Sequence, residues 1–513
     1  MIFYLDDTNI KKEYPYCTLE RSDWNDWGYY ATFFLTLHFS STQRQNFGAI
    51  KIGKKGLSVP DYYKNQSETV TMEKSFDHLS DNYFSVGVSS QYYLSMYTLS
   101  VTNKEIFNKI LIGLRDIVYE PKIYEKNKNE DIFKKALTRN NSKKTIKDVY
   151  TKALKIGHEE LTSYNFAIEL KNDVGAVPMT FSVSPKLLPQ TNIHTIIGRN
   201  GVGKTNLFKS IITTLCDVPD TTHSNIITKF DGKSTISSVL ALSYSVFDTT
   251  LPKQNSLNGE ITYKFIGFNN QNTETENNLE FEDWIVNNFL SVVAAIKVDT
   301  SVHNVLTQSI ETLNSDPMFN SLDVLDWFSK KNIDNIEVLF RKLSSGHKIV
   351  LLSLLQIINN VEPNSLFLID EPEQNLHPPL ISSFFQAILV VLRDRNAVAL
   401  IATHSPVIVQ ECSADSVWIM DRSYSSVSIS RPTIETFGEN VGKITYDVFD
   451  LEVVNSGYMK IVNDEVNKLK QDPNFNDDAD LNKKLEKIIK IFNDKLGDEL
   501  ITKLASMLSP HRE

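Results

Sequence analysis

The sequence predicts an α/β fold built around a mainly parallel sheet, and three segments support this prediction. Each is a short run of β-branched or apolar residues typical of a buried strand, and each leads into residues typical of a ligand site. They are residues 192–197 before a glycine-rich loop, 366–369 before two acidic residues, and 397–402 before Thr403 and His404. Because ligands of open α/β sheets bind at the carboxyl ends of strands, we expect these ends to form one site.

The glycine-rich loop fits the pattern G-x-x-x-x-G-K-[ST] through Gly198, Gly203, Lys204 and Thr205. Residues 206–215 follow with apolar side chains at helical spacing. Glycines allow backbone N–H groups to close around phosphates, and a helix N-terminus adds partial positive charge. Lys204 would reach the β- and γ-phosphates of ATP, and the Thr205 hydroxyl would bind Mg²⁺. A glycine turn that merely joins a strand to a helix is the alternative.

The predicted nucleotide-binding residues of this loop and its helix are Gly198, Asn200, Gly201, Gly203, Lys204, Thr205 and Asn206.

The acidic pair is Asp370 and Glu371. We expect Asp370 to hold Mg²⁺ together with Thr205, and Glu371 to orient and deprotonate the attacking water. Taken alone, such a pair could also be a solvated acidic turn. The phosphate-binding loop earlier in the chain favours the catalytic interpretation.

A second anion-binding helix start is predicted at residues 343–347, Leu-Ser-Ser-Gly-His. Ser344 is a preferred N-cap residue, and Gly346 lets an anion approach the backbone closely. A single protomer cannot easily place two helix N-termini around the same γ-phosphate. We therefore expect the second helix end to come from another protomer.

In this order, the motifs resemble those of ABC-type ATPases of the SMC, RecF and OLD branch. This branch includes AAA-family ATPases of bacterial anti-phage defence modules, and a Septu-like ATPase subunit is one possibility. The resemblance covers roughly residues 160 to 450. The family signature is LSGGQ-like and reaches across a head-to-head dimer to the partner's ATP. Ser344 and Gly346 match it, whereas Ser345 replaces a glycine and His347 replaces the glutamine, which leaves any glutamine-specific role in doubt.

The resemblance also implies an ABC-type P-loop NTPase head with a mainly parallel sheet, an antiparallel β-lobe and helical insertions. Residues 370–378 look like the Walker B motif and the D-loop, and His404 looks like the switch histidine that contacts the γ-phosphate. Gln254 is a candidate glutamine-loop residue, although an ordinary polar loop residue is the easier interpretation.

Composition is that of an ordinary soluble protein: 41% of the 513 residues are hydrophobic and 23% are charged. The absence of a membrane-length apolar run and of C-x-x-C spacing predicts a cytoplasmic protein with no membrane partner. A net charge of -10 argues against a uniformly basic nucleic-acid binder. Residues 122–155 nevertheless hold a lysine-rich cluster, which is either a DNA-backbone surface or a solvated helical insertion.

Three regions are predicted. Residues 1–158 form a strand and helical region packed on the β-lobe, within which 120–150 fit a linker or mobile insertion. Residues 159–450 form the ATPase head, with a helical lobe at about 278–342, and residues 451–513 form a helical tail. The lack of a long heptad array argues against the coiled-coil arm of SMC proteins.

The motifs predict a slow ATPase that forms homodimers or higher oligomers, and the resemblance implies that it regulates a separate effector in bacterial antiviral defence. The effector would be a nuclease or toxin encoded nearby, because the sequence shows neither a Toprim acidic set nor an HNH histidine cluster. The alternative is a RecF-like DNA-binding repair ATPase without an effector. An ABC transporter ATPase is a weaker third reading.

Overall fold

The computed structural model describes most of the chain. The described residues are 1–6, 12–26, 28–59, 67–138, 142–157, 161–171, 178–216, 218, 225–243, 251–252, 256, 260–267, 278–298, 302–329, 333–374, 376–423, 426–449, 457–471 and 481–508. They form two compact units, Met1–Glu439 and Asn440–Glu513. The boundaries predicted at residues 158 and 450 stay predictions.

The first unit begins with an N-terminal region of eight described strands. They are β1 (Ile2–Leu5), β2 (Tyr16–Arg21), β3 (Tyr29–Tyr30), β4 (Thr32–His38), β5 (Arg44–Lys54), β6 (Glu68–Thr69), β7 (Ser75–Phe76) and β8 (Tyr83–Gly87). Six of them form a sheet in the order β7-β1-β2-β4-β5-β8, and β3 pairs with β6. Strands β4 and β5 are antiparallel neighbours, with Phe33 opposite Ile50.

Helices cover this sheet. They are α1 (Ser90–Thr102), α2 (Lys104–Gly113), α3 (Pro121–Asn127), α4 (Thr151–Ile156) and two π-helical segments, Phe133–Leu137 and Thr145–Tyr150.

The prediction of a linker or mobile insertion at residues 120–150 is wrong. Ile123, Tyr124, Phe133 and Leu137 are buried in the core of the N-terminal region. Because these side chains are buried, the helices of this stretch are packed in place. The many lysines of the stretch lie between these apolar residues in the sequence. The spacing of the apolar residues, and not the lysine content, determines how this stretch packs.

The rest of the first unit contains ten strands among its described residues. They are β9 (Tyr164–Leu170), β10 (Pro178–Val183), β11 (Ile193–Ile197), β12 (Ile227–Asp231), β13 (Ser238–Ser243), β14 (Thr262–Phe265), β15 (Leu366–Asp370), β16 (Val398–Thr403), β17 (Val417–Ser423) and β18 (Ser426–Ser430). Seven form a sheet in the order β14-β13-β15-β16-β11-β17-β18, parallel except for β18. Strands β10, β9 and β12 form a separate antiparallel sheet. The predicted α/β fold, with a mainly parallel sheet and an antiparallel lobe, is confirmed.

Nine described helices accompany these strands. They are α5 (Lys204–Leu215), α6 (Asn278–Val298), α7 (His303–Leu313), α8 (Pro317–Asn320), α9 (Val324–Ser329), α10 (Ile333–Arg341), α11 (Ser345–Asn360), α12 (Pro378–Asp394) and α13 (Pro406–Val409). Helices α6 and α7 pack on α11 and α12, so the helical insertion is compact. Helix α5 buries Leu207, Phe208 and Ile211 in the same core as Leu368 and Leu400 of the sheet.

Glu362 ties the N-terminal region to the parallel sheet. This side chain is 3% exposed and lies in the short link between α11 and β15. Its Oε2 accepts hydrogen bonds of 2.7 Å from the backbone N–H of Ser142 and from Oγ1 of Thr145. Its Oε1 lies 3.6 Å from Nζ of Lys264 on β14. One buried carboxylate in the link before β15 therefore contacts both the N-terminal region and strand β14.

We expect Glu362→Ala to lower the free energy of unfolding by about 3–5 kcal/mol, because removing one partner of a buried ion pair leaves the other charge uncompensated. Glu362→Gln should cost less, since its amide oxygen can still accept the bonds from Ser142 and Thr145. Thermal and denaturant unfolding would measure both changes. Glu120→Ala, at an exposed position, is the control. A midpoint for Glu362→Ala equal to that of the control would contradict this account.

The second unit contains four described helices: α14 (Val441–Phe449), α15 (Gly457–Lys470), α16 (Leu481–Ile491) and α17 (Asp498–Leu508). Val462, Val466, Ile488 and Leu504 form its core. Leu485, Phe492 and Leu496 are partly buried against this core, so the apolar side chains around Ile488 pack within this unit. In the described part of the chain, no helix combines the length and apolar character that crossing a membrane requires.

Candidate active site

The glycine-rich loop joins the central strand β11 to helix α5. A Cβ atom on Gly198 would lie 2.1 Å from the backbone oxygen of Met420, so only glycine fits there. Gly201 and Gly203 have φ angles of +80° and +109°, a left-handed conformation that favours glycine. The loop thus curves tightly and ends in a helix N-terminus, as a phosphate cradle requires. Asn200 is exposed on this loop, and Asn206 is half-buried in the first turn of α5.

Lys204 is held across the loop. Its side chain is buried, and Nζ donates hydrogen bonds to the carbonyl oxygens of Gly198, at 2.8 Å, and Arg199, at 2.9 Å. Burial lowers the pKa of Lys204, and the carboxylates of Glu371 and Asp370 oppose this shift. The ammonium group therefore lies near the N-terminus of α5, where its charge and the helix dipole would both attract an anionic ligand.

Asp370 and Thr205 meet although they are far apart in sequence. Strand β16 lies between β11 and β15, so the carboxyl ends of the three strands are neighbours. Oγ1 of Thr205 donates a hydrogen bond of 2.8 Å to Oδ2 of Asp370, which is 3% exposed. A hydroxyl and a carboxylate are hard oxygen donors of the kind Mg²⁺ prefers, so these two residues fit the predicted metal site.

Glu371 occupies a strained position immediately after β15. Its φ is +49°, which is uncommon for a residue other than glycine. The backbone N–H of Glu371 donates to the oxygen of Ala402 at 2.9 Å, and Nε2 of Gln374 donates to its Oε2 at 2.6 Å. The side chain keeps 26% of its surface exposed. The carboxylate is thus held in a defined position yet accessible to water, as a general base must be.

His404 lies beside this carboxylate. Its Nδ1 is 3.8 Å from Oε1 of Glu371 and 3.1 Å from Oε1 of Glu373. The same Glu373 oxygen accepts hydrogen bonds from Oγ1 of Thr403, at 2.7 Å, and from the backbone N–H of His404, at 2.8 Å. Glu373 therefore fixes the turn that presents His404, whose side chain remains 43% exposed.

Ser344 and Gly346 lie at the start of α11, as predicted, but Ser344 does not join the cluster around Lys204. Ser344 is the N-cap, and among the described residues its side chain hydrogen-bonds only to the backbone and ring of His347. Ser344 is exposed, whereas Gly346 is buried, and the second anion site stays a prediction. Gln254, the candidate glutamine-loop residue, lies outside the described residues.

Two residues with evident positioning roles were missed by the sequence reasoning, namely Glu373 and Gln374. Glu373 orients His404, and Gln374 orients Glu371. The turn after the acidic pair could have indicated them, because it brings the side chains two and three residues after Glu371 back beside the end of β15.

Chemically, this edge of the sheet combines a phosphate cradle, a buried lysine, two metal-type oxygen donors and an accessible carboxylate. This set of groups can bind a nucleoside triphosphate and activate a water molecule against its terminal phosphate.

Known proteins are similar to parts of this chain. Residues 274–410 match the family model described as "AAA domain, putative AbiEii toxin, Type IV TA system". The match includes Ser344, Asp370, Glu371 and His404 and begins after the phosphate loop. Residues 274–410 are thus similar to an AAA-family domain.

Two solved structures are similar over 56% of this chain. One is a metal-chelate type ABC transporter in an inward-facing conformation, matched over 89% of its chain with 14% identity and a TM-score of 0.29. The other is the ATP-binding cassette of an ABC transporter in its ADP conformation, matched over 96% of its chain with 12% identity and a TM-score of 0.27. Both likenesses are too weak to compare site geometry.

Protein ea59 of Escherichia phage lambda is similar over nearly the whole length. The two sequences are 31% identical over 521 residues, which cover 96% of this chain and 94% of the phage protein. The protein therefore belongs to the same family as protein ea59 of phage lambda.

Proposed function

We propose that the protein is a Mg²⁺-dependent ATPase that works as a nucleotide-controlled dimer and switches a separate effector on or off. One observation carries this proposal. The phosphate loop, the acidic pair and His404 converge at one sheet edge, whereas the second anion-binding helix start at Ser344 stands apart and exposed.

In this proposal each residue has a defined role. The loop amides and Lys204 bind the phosphates, and Glu371 accepts a proton from the attacking water while Gln374 holds it in place. His404, oriented by Glu373, hydrogen-bonds the γ-phosphate and loses that partner after hydrolysis. Mg²⁺ held by Thr205 and Asp370 would neutralise charge on the β- and γ-phosphates.

The second copy would complete the site. Ser344, the N-cap of α11, and Ser345 are exposed, and they would contact the anion at this helix N-terminus, while Gly346 behind them is buried. The resemblance to ABC-type ATPases implies a head-to-head pair in which this helix start contacts the partner's ATP. Each dimer would then hold two composite sites.

We also propose that the dimer regulates a nuclease or toxin effector that acts in antiviral defence. Hydrolysis would be slow, so that the ATP-bound state lasts long enough to act as a switch. One comparison supports this setting. The matched family description names a type IV toxin–antitoxin system. Copurification with the products of neighbouring genes tests this part separately from the ATPase.

Direct DNA binding is not part of this proposal. In the lysine-rich cluster, Lys128 and Lys147 pair with Glu125, and Lys135 pairs with Asp131. These local ion pairs reduce the positive field that a DNA-backbone surface needs.

We expect Lys204→Ala to raise the dissociation constant for ATP about 10- to 100-fold, since a hydrogen bond to a charged group contributes roughly 1.5–3 kcal/mol. Calorimetry measures this change. In light scattering, the wild-type mass should double with Mg-ATP, and the mass of Lys204→Ala should not. Lys186→Ala, at an exposed turn, is the matched control. A wild-type mass that ATP leaves unchanged would contradict the dimer.

A further inference from the structure

A buried hydrogen-bonded chain lies behind the exposed Ser344. Oγ of Ser344 lies 2.6 Å from Nδ1 of His347, and Nε2 of the same ring lies 3.2 Å from Oδ1 of Asp316. Asp316 is 3% exposed, and the side chain of His347 is 11% exposed. The backbone N–H groups of Met318 and Phe319 also donate to Oδ1 of Asp316. The chain therefore runs from the surface of the second anion site to a buried carboxylate.

The donors and acceptors fix where the hydrogens lie. The Asp316 carboxylate only accepts hydrogen bonds, so Nε2 of His347 must carry the hydrogen between them. In a neutral ring Nδ1 is then an acceptor, and the Ser344 hydroxyl must donate to it. Oγ of Ser344 also accepts the backbone N–H of His347, at 3.4 Å. With a neutral ring, the single hydroxyl hydrogen of Ser344 is therefore engaged inside the protein.

A phosphate oxygen also only accepts hydrogen bonds, so it needs that same hydrogen. If the hydroxyl turned outward beside a neutral ring, two lone pairs would face each other across 2.6 Å. If the ring is protonated, Nδ1–H donates to Oγ, and the hydroxyl is released toward the anion. Asp316 stabilises the resulting imidazolium.

We propose that His347 takes up a proton when the second anion site closes on a γ-phosphate, so that Asp316 and His347 act as positioning residues for Ser344. This inference rests on the proposed function, because the phosphate comes from ATP bound by another copy. Proton uptake would couple assembly of the dimer to pH.

The neighbouring charges are compatible with this assignment. Lys348, next in the chain, pairs with Glu282 at 2.5 Å, so its positive charge is balanced. The ring of His377, the N-cap of α12, lies 6.2 Å from that of His347, measured between centroids. Nδ1 of His377 accepts the N–H of Leu380. Asp316 is thus the charged group that contacts a ring nitrogen of His347.

The resemblance to ABC-type ATPases provides a natural control, because glutamine occupies this position in the family signature. A glutamine amide has both a donor and an acceptor at every pH and cannot titrate. His347→Gln should therefore keep the Ser344 contact and lose the pH dependence.

The test measures the dissociation constant of the ATP-bound dimer between pH 6.5 and 8.5. The closed dimer binds more protons than the open monomers, so association weakens as pH rises. With one proton at each of two sites, the limiting slope is about 100-fold per pH unit. We expect the parent to lose at least tenfold in affinity across this range and His347→Gln to lose severalfold less. Asp316→Asn should weaken the dimer throughout, and His303→Gln, at an exposed position, should behave like the parent.

The outcomes separate cleanly, provided that each variant binds ATP like the parent. Equal slopes for the parent and His347→Gln would overturn the proton proposal and leave the dimer intact. No ATP-driven association in the parent at any pH would overturn both proposals. Asp316, His347 and His377 each offer one potential metal-ligand atom, and these atoms lie within 4.8 Å of one another. The pH dependence of the dimer is therefore also measured in the presence of a zinc-selective chelator. If the chelator removed the slope, a metal ion rather than a proton would occupy the cluster, which would overturn the proposal.

Discussion

Replacing Glu371 with glutamine is expected to lower ATP turnover about 10²- to 10⁴-fold, the range that general-base catalysis contributes. Glutamine has nearly the same shape but cannot accept a proton from water. The phosphate loop and Lys204 are untouched, so ATP affinity should stay within about threefold. The variant should therefore accumulate as an ATP-bound dimer. Single-turnover hydrolysis and light scattering after removal of free ATP measure the two effects.

The contacts of Glu371 suggest the controls. Glu373 lies two residues away and touches the same histidine, so it is the competing candidate for the base. Its Oε1 already accepts hydrogen bonds from Thr403 and His404, and its side chain is only 7% exposed, which leaves little access for water. A larger loss of turnover in Glu373→Gln than in Glu371→Gln would move the assignment to Glu373. Glu120→Gln, at an exposed position, should leave turnover unchanged.

The parts of the site that could be predicted from the sequence are those fixed by neighbouring residues. Gly198, Gly203 and Lys204 share one loop, and the backbone conformations needed there are encoded locally. The strand that ends at Asp370 is likewise visible as an apolar run. Because parallel strands align their carboxyl ends, the meeting of Thr205 and Asp370 across 165 positions follows from the fold class.

The parts that could not be predicted depend on side-chain contacts between distant segments. Asp316 reaches His347 across 31 positions, and nothing near Asp316 marks it as more than a helix N-cap. Glu373 reaches Thr403 across 30 positions in the same way. Such contacts depend on how α8, α11 and α12 pack, and one sequence does not reveal that packing.

Replacing Ser344 with arginine is expected to lower turnover at least ~100-fold while leaving ATP binding to the separate chain within about threefold. The hydroxyl that caps α11 is lost, and a long side chain fills the space through which a partner's phosphate would approach the helix. The side chain of Ser344 makes no described hydrogen bond to the phosphate loop, so the first half of the site should stay intact. Calorimetry and steady-state hydrolysis measure the two effects, and Ser344→Ala separates loss of the cap from steric blockage.

Mixing two inactive variants distinguishes a composite site from a site within one chain. Ser344→Arg keeps a working phosphate loop, whereas Lys204→Ala keeps a working second anion site. A mixed dimer therefore contains one composite site with both halves intact, and the mixture should regain turnover that neither variant shows alone. Wild-type turnover in Ser344→Arg by itself would exclude the two-protomer site, because the helix start at Ser344 would then be dispensable. Recovery only in the mixture would mean that each ATP is hydrolysed between two copies of the chain.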